Sequence, residues 1–128
     1  MKIRDVMNKG VQTVPPETLL FDVAKKMKMH DVGAVLVSKE GRLVGMITDR
    51  DIALRCVAEQ HHPAETTAEQ VMSPEFLYCG QMDEAEDVAS IMGQSGVRRL
   101  VVLDADKKMV GIVSLGDLAI SHPLTTRQ

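Results

Sequence analysis

The sequence contains two copies of one pattern, and this internal repeat constrains the fold more than any other feature. Asp5–Met7 is echoed by Gln70–Met72, and Asp22–Ala24 is echoed by Asp87–Ala89, both at an offset of 65 residues. The register continues along the chain and slips by one residue in a loop at Asp104–Lys108. Because repeats at a fixed period are copies of one supersecondary unit, the 128 residues are expected to form two similar α/β motifs.

Each copy has the pattern of a strand, a helix, two strands and a second helix, which is a βαββα order. Apolar residues spaced i, i+3, i+4 and i+7 predict the first helix of each copy. These residues are Leu20, Val23, Ala24 and Met27 in one copy and Ala85, Val88, Ala89 and Met92 in the other. Thr18 is expected to cap the first helix, and Asp83 with Glu86 is expected to form a capping box at the second.

The middle of each copy predicts a β-hairpin followed by a helix. Two short β-rich runs flank turn residues at Lys39–Arg42, and the second copy repeats them around Asp104–Asp106. The segments that begin at Asp49 and Leu115 are predicted to be helical. The fold class is therefore α/β, or more strictly α+β.

The repeat also predicts the organisation of the chain. The first motif is expected at residues 1–60 and the second at residues 68–123, with a tail at residues 124–128. Residues 61–67 are interpreted as a linker because they are polar, aperiodic and contain Pro63.

Charge and composition exclude several classes of protein. Fifteen basic and eighteen acidic residues give a net charge of −3, which is opposite to the basic surface of a nucleic-acid-binding protein. No apolar run approaches the roughly twenty residues that span a bilayer, so we expect no membrane partner and a cytoplasmic location. Cys56 and Cys79 lack a CxxC spacing and are expected to be free thiols.

The most informative spacing is a glycine, two apolar residues, a hydroxyl residue and, three positions after it, an aspartate. It occurs as Gly45–Asp51 and again as Gly111–Asp117. The hydroxyls of Thr48 and Ser114 fall where a predicted strand ends and a helix begins, and there unpaired N–H groups and the helix dipole favour a phosphate. The aspartate, one turn along, can accept hydrogen bonds from both hydroxyls of a ribose. The pattern therefore favours a nucleoside phosphate.

A purely structural interpretation of the same residues stays open. Thr48 and Ser114 can simply cap a helix while Asp51 and Asp117 complement its dipole. The occurrence of the pattern at the same place in both copies counts against capping alone.

The two copies resemble tandem cystathionine-β-synthase (CBS) domains, the pair known as a Bateman module. The resemblance covers about Ile3 to His122, and its signature is GMITDRD, with GIVSLGD as the echo. It implies two βαββα motifs related by a pseudo-twofold axis and packed through their sheets. It further implies an adenosyl ligand such as AMP, ADP or ATP in the cleft between the motifs, a disc-like homodimer, and an effector protein that the module regulates.

The resemblance also assigns ligand contacts residue by residue. The phosphate-side hydroxyl and the ribose-binding aspartate match Thr48 and Asp51 in the first copy, and Ser114 and Asp117 in the second. The family uses further main-chain positions, at the end of the first strand and just ahead of the second, to read the adenine edge. These positions are Thr13, Val14, Pro15, Val32, Gly33 and Ala34 in the first copy and Tyr78, Cys79, Gly80, Val97, Arg98 and Arg99 in the second.

The two candidate sites are not equivalent. Arg50 precedes the first aspartate, whereas Gly116 precedes the second, and Gly33–Ala34 is replaced by Arg98–Arg99. Each arginine is either a bidentate partner for a phosphate or a solvated surface charge. Tyr78 either stacks on an adenine or belongs to the core.

Three classes of function stay open. A nucleotide-sensing module rests on the doubled spacing, and a dimerisation or adaptor module with empty sites would explain the repeat without a ligand. An enzyme is disfavoured because no P-loop, GxGxxG or catalytic constellation occurs, so no catalytic residue or catalytic cofactor is predicted. His61, His62 and Glu65 are not expected to hold a metal, since adjacent histidines in a linker lack the spacing of a preorganised site.

Overall fold

The computed structural model describes residues 1–121, so the predicted tail at residues 124–128 lies outside the described residues. The chain divides into two compact units. One, the central unit, is Gln12–Phe76, and the other, the terminal unit, combines Met1–Val11 with the chain from Leu77 onward. The boundaries of the two spatial units therefore differ from the boundaries predicted for the two sequence repeats. The repeat boundaries stay a prediction.

The central unit has the predicted βαββα order. Its elements are β1 (Thr13–Val14), α1 (Leu20–His30), β2 (Ala34–Lys39), β3 (Arg42–Thr48), α2 (Asp49–Asp51) with the π-helical segment Ile52–Val57, and α3 (Ala68–Val71). The sheet order is β1-β2-β3, with β1 parallel and β3 antiparallel to β2. The mixed sheet confirms the predicted fold class.

The terminal unit repeats this arrangement. After a 3₁₀ turn (Ile3–Asp5) its elements are β4 (Tyr78–Gly80), α4 (Ala85–Ser95), β5 (Arg99–Leu103), β6 (Met109–Ser114) and α5 (Leu115–Ser121). The sheet order β4-β5-β6 again has one parallel and one antiparallel pair. No helix within residues 1–121 is long and apolar enough to cross a membrane.

Both predicted hairpins are confirmed, and their turns differ. Glu40 and Gly41 connect β2 to β3 with φ values of 52° and 79°, as a two-residue type I′ turn requires. The longer loop between β5 and β6 is closed by Asp104, whose Oδ1 accepts from the N–H groups of Asp106 and Lys108 at 2.9 Å. The one-residue slip in the repeat falls in this loop.

Each unit has its own aliphatic core. The predicted helix stripes point into these cores, except that Ala24 is exposed. The central core contains Val14, Leu20, Val23, Met27, Val35, Val37, Ile47, Cys56, Ala68 and Val71. The terminal core contains Ile3, Ala85, Val88, Met92, Leu100, Val102, Val113 and Leu118.

The predicted side-chain caps of the two long helices are wrong. The N-cap residues are Leu19 and Glu84, and neither makes a side-chain cap hydrogen bond. The carboxylate of Asp83 instead accepts from the Gly80 N–H at 2.8 Å. Distant carbonyls satisfy the first helical N–H groups, which removes the need for a local cap. Thr66 O accepts from Leu20 N at 2.9 Å, and Met1 O accepts from Ala85 N at 2.8 Å.

The segment predicted as a linker is packed against the central unit. Thr66 is buried, and its hydroxyl donates to the His62 carbonyl at 2.8 Å. Pro63 O accepts from Phe21 N at 3.0 Å, so this segment also covers the start of α1. Residues 61–67 are therefore a structural part of this unit.

The glycine of the repeated motif lies beneath a methionine in both units. A Cβ on Gly45 would meet the Met72 side chain and would lie 3.1 Å from the Ser73 carbonyl oxygen. A Cβ on Gly111 would lie 2.7 Å from Met7 Sδ and 2.9 Å from the Asn8 carbonyl oxygen. The glycine is thus required by the close approach of another chain segment.

Candidate functional site

The hydroxyl and the aspartate of the motif form a reciprocal helix cap in the central unit. Thr48 Oγ1 accepts from Asp51 N at 3.1 Å, and Asp51 Oδ2 accepts from Thr48 N at 2.9 Å. Both side chains are partly exposed. Thr48 and Asp51 therefore form the helix cap that the structural interpretation predicts, and this cap fixes the orientation of both polar groups.

The terminal unit contains the same cap. Ser114 Oγ accepts from Asp117 N at 3.0 Å, and Asp117 Oδ2 accepts from Ser114 N at 2.9 Å. Because strand, turn and first helical residues match in both units, the two candidate sites share one backbone arrangement.

The sheet brings part of the predicted site together. Ala34 pairs with Thr48 in the register of β2 and β3, and Asp49 N donates to Gly33 O at 3.0 Å. The terminal unit has the equivalent contacts, in which Arg99 pairs with Ser114 and Leu115 N donates to Arg98 O at 2.9 Å. The chain ahead of the second strand and the capped helix start therefore meet at one end of each sheet.

The residues predicted from the first strand lie farther along the sheet. Thr13 pairs with Leu36, two residues beyond Ala34, and the parallel strand then carries Val14 and Pro15 away from that end. Val14 is buried in the core, which leaves only its main chain for a ligand. Thr13 therefore lies nearest to the capped turn, followed by Val14 and then Pro15.

Tyr78 has the equivalent position in the terminal unit. It pairs with Val101, two residues beyond Arg99, and its side chain is 53% exposed. The exposure excludes the alternative in which this ring belongs to the core. The ring face therefore stays a candidate stacking surface for an adenine.

The first helical N–H groups are used differently in the two units. In the central unit, Arg50 N donates to the Asp49 carboxylate at 2.8 Å, so a side-chain carboxylate already accepts from this N–H group. Gly116 has the equivalent position in the terminal unit, and within residues 1–121 its N–H donates to no side chain. Sequence inspection did not identify Asp49. An aspartate at this position can be solvated or can accept from the N–H of the following residue, and the sequence does not distinguish the two.

The arginines around the two sites are free of ion pairs within the described chain. Arg50 and Arg98 are exposed and Arg99 is half-buried, and none forms a salt bridge. Lys26 adds a cation that sequence inspection missed, because its Nζ lies 3.3 Å from the Thr13 carbonyl oxygen. A positive charge thus lies beside the first strand of the central unit.

The two cysteines lie in different environments, and neither forms a disulfide. Both cysteines are free, and Cys56 is buried with its Sγ 3.3 Å from the His61 carbonyl oxygen. Burial, and secondarily the charge of Asp83, raise the pKa of the Cys79 thiol to about 11, so it is protonated at neutral pH. Among residues 1–121 no group of three or more His, Cys, Asp or Glu residues has the geometry of a metal site.

Two three-stranded sheets, each ending in a hydroxyl–carboxylate helix cap, define a tandem-repeat α/β module. The family model described as "CBS domain" matches this chain twice, at residues 3–57 and 68–121. The chain belongs to the CBS domain family and is a CBS domain pair, which is a class of regulatory module.

Similar proteins agree with this assignment. The chain is 42% identical over 120 residues to the CBS domain-containing protein YhcV of Bacillus subtilis, covering 94% of this chain and 84% of YhcV. The crystal structure of the CBS domain protein TA0289 from Thermoplasma acidophilum has a TM-score of 0.82 at 29% identity, covering 94% of this chain and 68% of TA0289. A hexameric CBS-CP12 protein from bloom-forming cyanobacteria has a TM-score of 0.88 at 22% identity, covering 98% and 70%, and shows the fold alone.

Proposed function

We propose that the module senses an adenine nucleotide such as AMP, ADP or ATP and transmits its binding to an effector protein. The observation that carries the proposal is the hydroxyl–aspartate cap, which occurs at the same end of both sheets. The ligand is proposed as a regulatory signal and not as a substrate, and the module is proposed to act in the cytoplasm.

The cap of the central unit supports binding because both of its polar side chains retain capacity for a ligand. The hydroxyl of Thr48 accepts through its oxygen and keeps its own hydrogen for a phosphate oxygen. Asp51 uses Oδ2 for the cap, and within residues 1–121 its Oδ1 accepts no hydrogen bond. That oxygen is therefore positioned to accept from ribose hydroxyls, while Arg50 or Lys26 supplies positive charge for a phosphate.

Regulation follows if the ligand has different affinities for two shapes of the module. A ligand can shift such an equilibrium only by its differential affinity for the two states. Since the candidate contacts include the start of a helix and the ends of two strands, binding is expected to alter the helix surface that an effector reads.

Replacing Asp51 with asparagine is expected to weaken nucleotide binding about tenfold or more while the helix cap is retained. The asparagine side-chain oxygen can still accept from Thr48 N, but the carboxylate that accepts from a ribose is lost. Calorimetric titration with AMP, ADP, ATP, NADH and S-adenosylmethionine measures the change. Asp117→Asn tests the terminal unit in the same way.

Glu40→Gln is the matched control, because Glu40 is an exposed carboxylate in the turn between β2 and β3, at the opposite end of the hairpin from the cap. It is expected to bind nucleotide like the wild type. Absence of heat with every ligand at millimolar concentration would contradict the proposal, as would equal binding by the Asp51→Asn, Asp117→Asn and wild-type proteins. Assay of the same samples for hydrolysis of ATP distinguishes a sensor from an enzyme.

We also propose that the chain forms a homodimer, which would serve an adaptor as well as a sensor. Large apolar side chains are exposed on two helical segments of the central unit, among them Met29 at 75% and Val57 at 62%. Phe21 and Leu54 on the same two segments are also exposed. Exposed apolar surface of this kind is typical of a protein interface.

The double variant Leu54→Ser, Val57→Ser is expected to raise the dissociation constant of the dimer about tenfold or more. The reason is that association of the variant buries less apolar surface than association of the wild type. Sedimentation equilibrium over a range of concentrations measures this. Met82→Ser, which replaces an exposed side chain of the terminal unit, is the control. A wild type that is monomeric throughout would exclude the homodimer.

A further inference from the structure

The central unit contains a cavity apart from the nucleotide candidate. It has a volume of about 340 Å³ and lies where the π-helical segment Ile52–Val57 faces the segment before α3. Its lining includes Arg55, Gln60, His62, Glu65, Thr66 and Gln70. Because ligand pockets start at roughly 300 Å³, this volume suits a small metabolite.

Several lining groups are held in place by hydrogen bonds to the chain. Arg55 Nη1 donates to the Val71 carbonyl at 3.0 Å, which leaves Nη2 and Nε as further donors. Gln70 Oε1 accepts from Thr67 N at 2.8 Å, which leaves the amide NH₂ as a donor. His62 Nδ1 accepts from Ala64 N at 3.1 Å, which fixes the orientation of the ring. The cavity therefore presents preoriented donors.

The cavity also contains two opposite charges that do not neutralise each other. Arg55 and Glu65 both line it, yet within residues 1–121 neither forms a salt bridge. No side-chain hydrogen bond of Glu65 occurs within the same residues. A ligand that is complementary to these groups has a carboxylate for the guanidinium and an ammonium for the glutamate.

We propose that this cavity binds a free α-amino acid, as an effector site separate from the nucleotide candidate. The α-carboxylate pairs with the Arg55 guanidinium, and the α-ammonium pairs with Glu65. Gln60 and Gln70, which also line the cavity, then supply amide groups for a polar side chain. A plain anion would face Glu65 with like charge, and a plain amine would face Arg55 with like charge.

The site is linked to the nucleotide candidate through the chain. Arg55 also lies 3.4 Å from the Met72 carbonyl, and the next residue, Ser73, exchanges hydrogen bonds with Met46 of β3 at 2.9 and 3.0 Å. β3 ends at Thr48, the cap residue. A continuous series of hydrogen-bonded residues therefore connects Arg55 with the strand that carries the cap.

The experiment is calorimetric titration of the full chain with each proteinogenic L-amino acid, and with acetate, phosphate and methylamine, at millimolar concentration. At least one amino acid is expected to bind saturably, and Glu65→Gln is expected to weaken it about tenfold or more. Arg55→Lys, which keeps the charge but loses the planar fork, is expected to weaken it as well. Glu59→Gln and Asp51→Asn are expected to bind that amino acid like the wild type.

The proposal is overturned if no amino acid binds, if Glu65→Gln binds as well as the wild type, or if acetate or phosphate binds as tightly as the amino acid. Because Glu65 is exposed, Glu65→Gln is expected to keep the wild-type midpoint of thermal unfolding, and equal midpoints show that lost binding is not lost folding. Asp51→Asn is expected to weaken nucleotide binding and to leave amino-acid binding unchanged. Titration of this variant with both ligands therefore separates a failure of this proposal from a failure of nucleotide sensing.

Discussion

Replacing Ile3 with alanine is expected to lower the free energy of unfolding by about 2 to 5 kcal/mol, the largest stability effect that we predict for a single side chain here. Ile3 is fully buried in the core of the terminal unit, although it belongs to the first copy of the sequence repeat. The substitution removes its apolar contacts and leaves a cavity. Urea denaturation followed by circular dichroism measures the change.

Ile91→Ala is the matched control, since Ile91 in the same unit is half exposed. It is expected to change stability by less than about 1 kcal/mol. A similarly small effect of Ile3→Ala would show that Met1–Val11 does not contribute to the core of the terminal unit in solution.

Replacing Gly111 with alanine is expected to lower the free energy of unfolding by about 1 to 3 kcal/mol. The new methyl group would lie 2.7 Å from Met7 Sδ and 2.9 Å from the Asn8 carbonyl oxygen. The methionine side chain can move, but the Asn8 main chain is held by two hydrogen bonds to Ile112, at 2.8 and 3.1 Å. The clash is therefore relieved only by moving a paired backbone segment.

Gly93→Ala is the control and has the opposite expected sign. Gly93 lies inside α4, and a Cβ there meets no atom within 4 Å, so alanine is expected to stabilise by about 0.5 to 1 kcal/mol through helix propensity. Equal effects at the two glycines, measured by the same denaturation, would show that the close approach at Gly111 is absent in solution.

The helix cap and the proposed binding role of the motif are compatible. The cap uses one oxygen of Asp51 and the acceptor capacity of the Thr48 hydroxyl, while the other carboxylate oxygen and the hydroxyl hydrogen remain for a ligand. Capping therefore supplies the orientation that a nucleotide site needs. For this reason Asp51→Asn, which keeps the cap, is more informative than truncation to alanine.

Local patterns predicted the elements well and the helix starts poorly. The stripes at Leu20 and Ala85 gave both long helices, because burial of one helical face is a local property of spacing. The caps at Thr18 and Asp83 were wrong, because carbonyls of Thr66 and Met1 already satisfy the first N–H groups. The residue preferences at helix N-caps do not predict a carbonyl partner from a distant part of the chain.

The candidate site was predicted in part for a similar reason. The capped turn at Thr48 follows from a hydroxyl three residues before an aspartate at a helix start, which is local. The distance of Pro15 from that turn depends on the register of β1, which is parallel to β2. The residue types in the two strands do not predict this register. The cavity beside Arg55 was missed because its lining combines a helix with a segment interpreted as a linker.

The sequence by itself determined the two-copy α/β organisation, the βαββα order, the hairpins and the repeated hydroxyl–aspartate turn, because periodicity and turn chemistry act over a few residues. Only the tertiary structure decided that Met1–Val11 packs with the chain from Leu77 and that residues 61–67 cover α1. It also explains the glycine ahead of each capped turn, because another chain segment approaches that position closely. These features depend on the burial of apolar surface and the pairing of backbone groups between segments far apart in the chain, and local sequence patterns do not specify them.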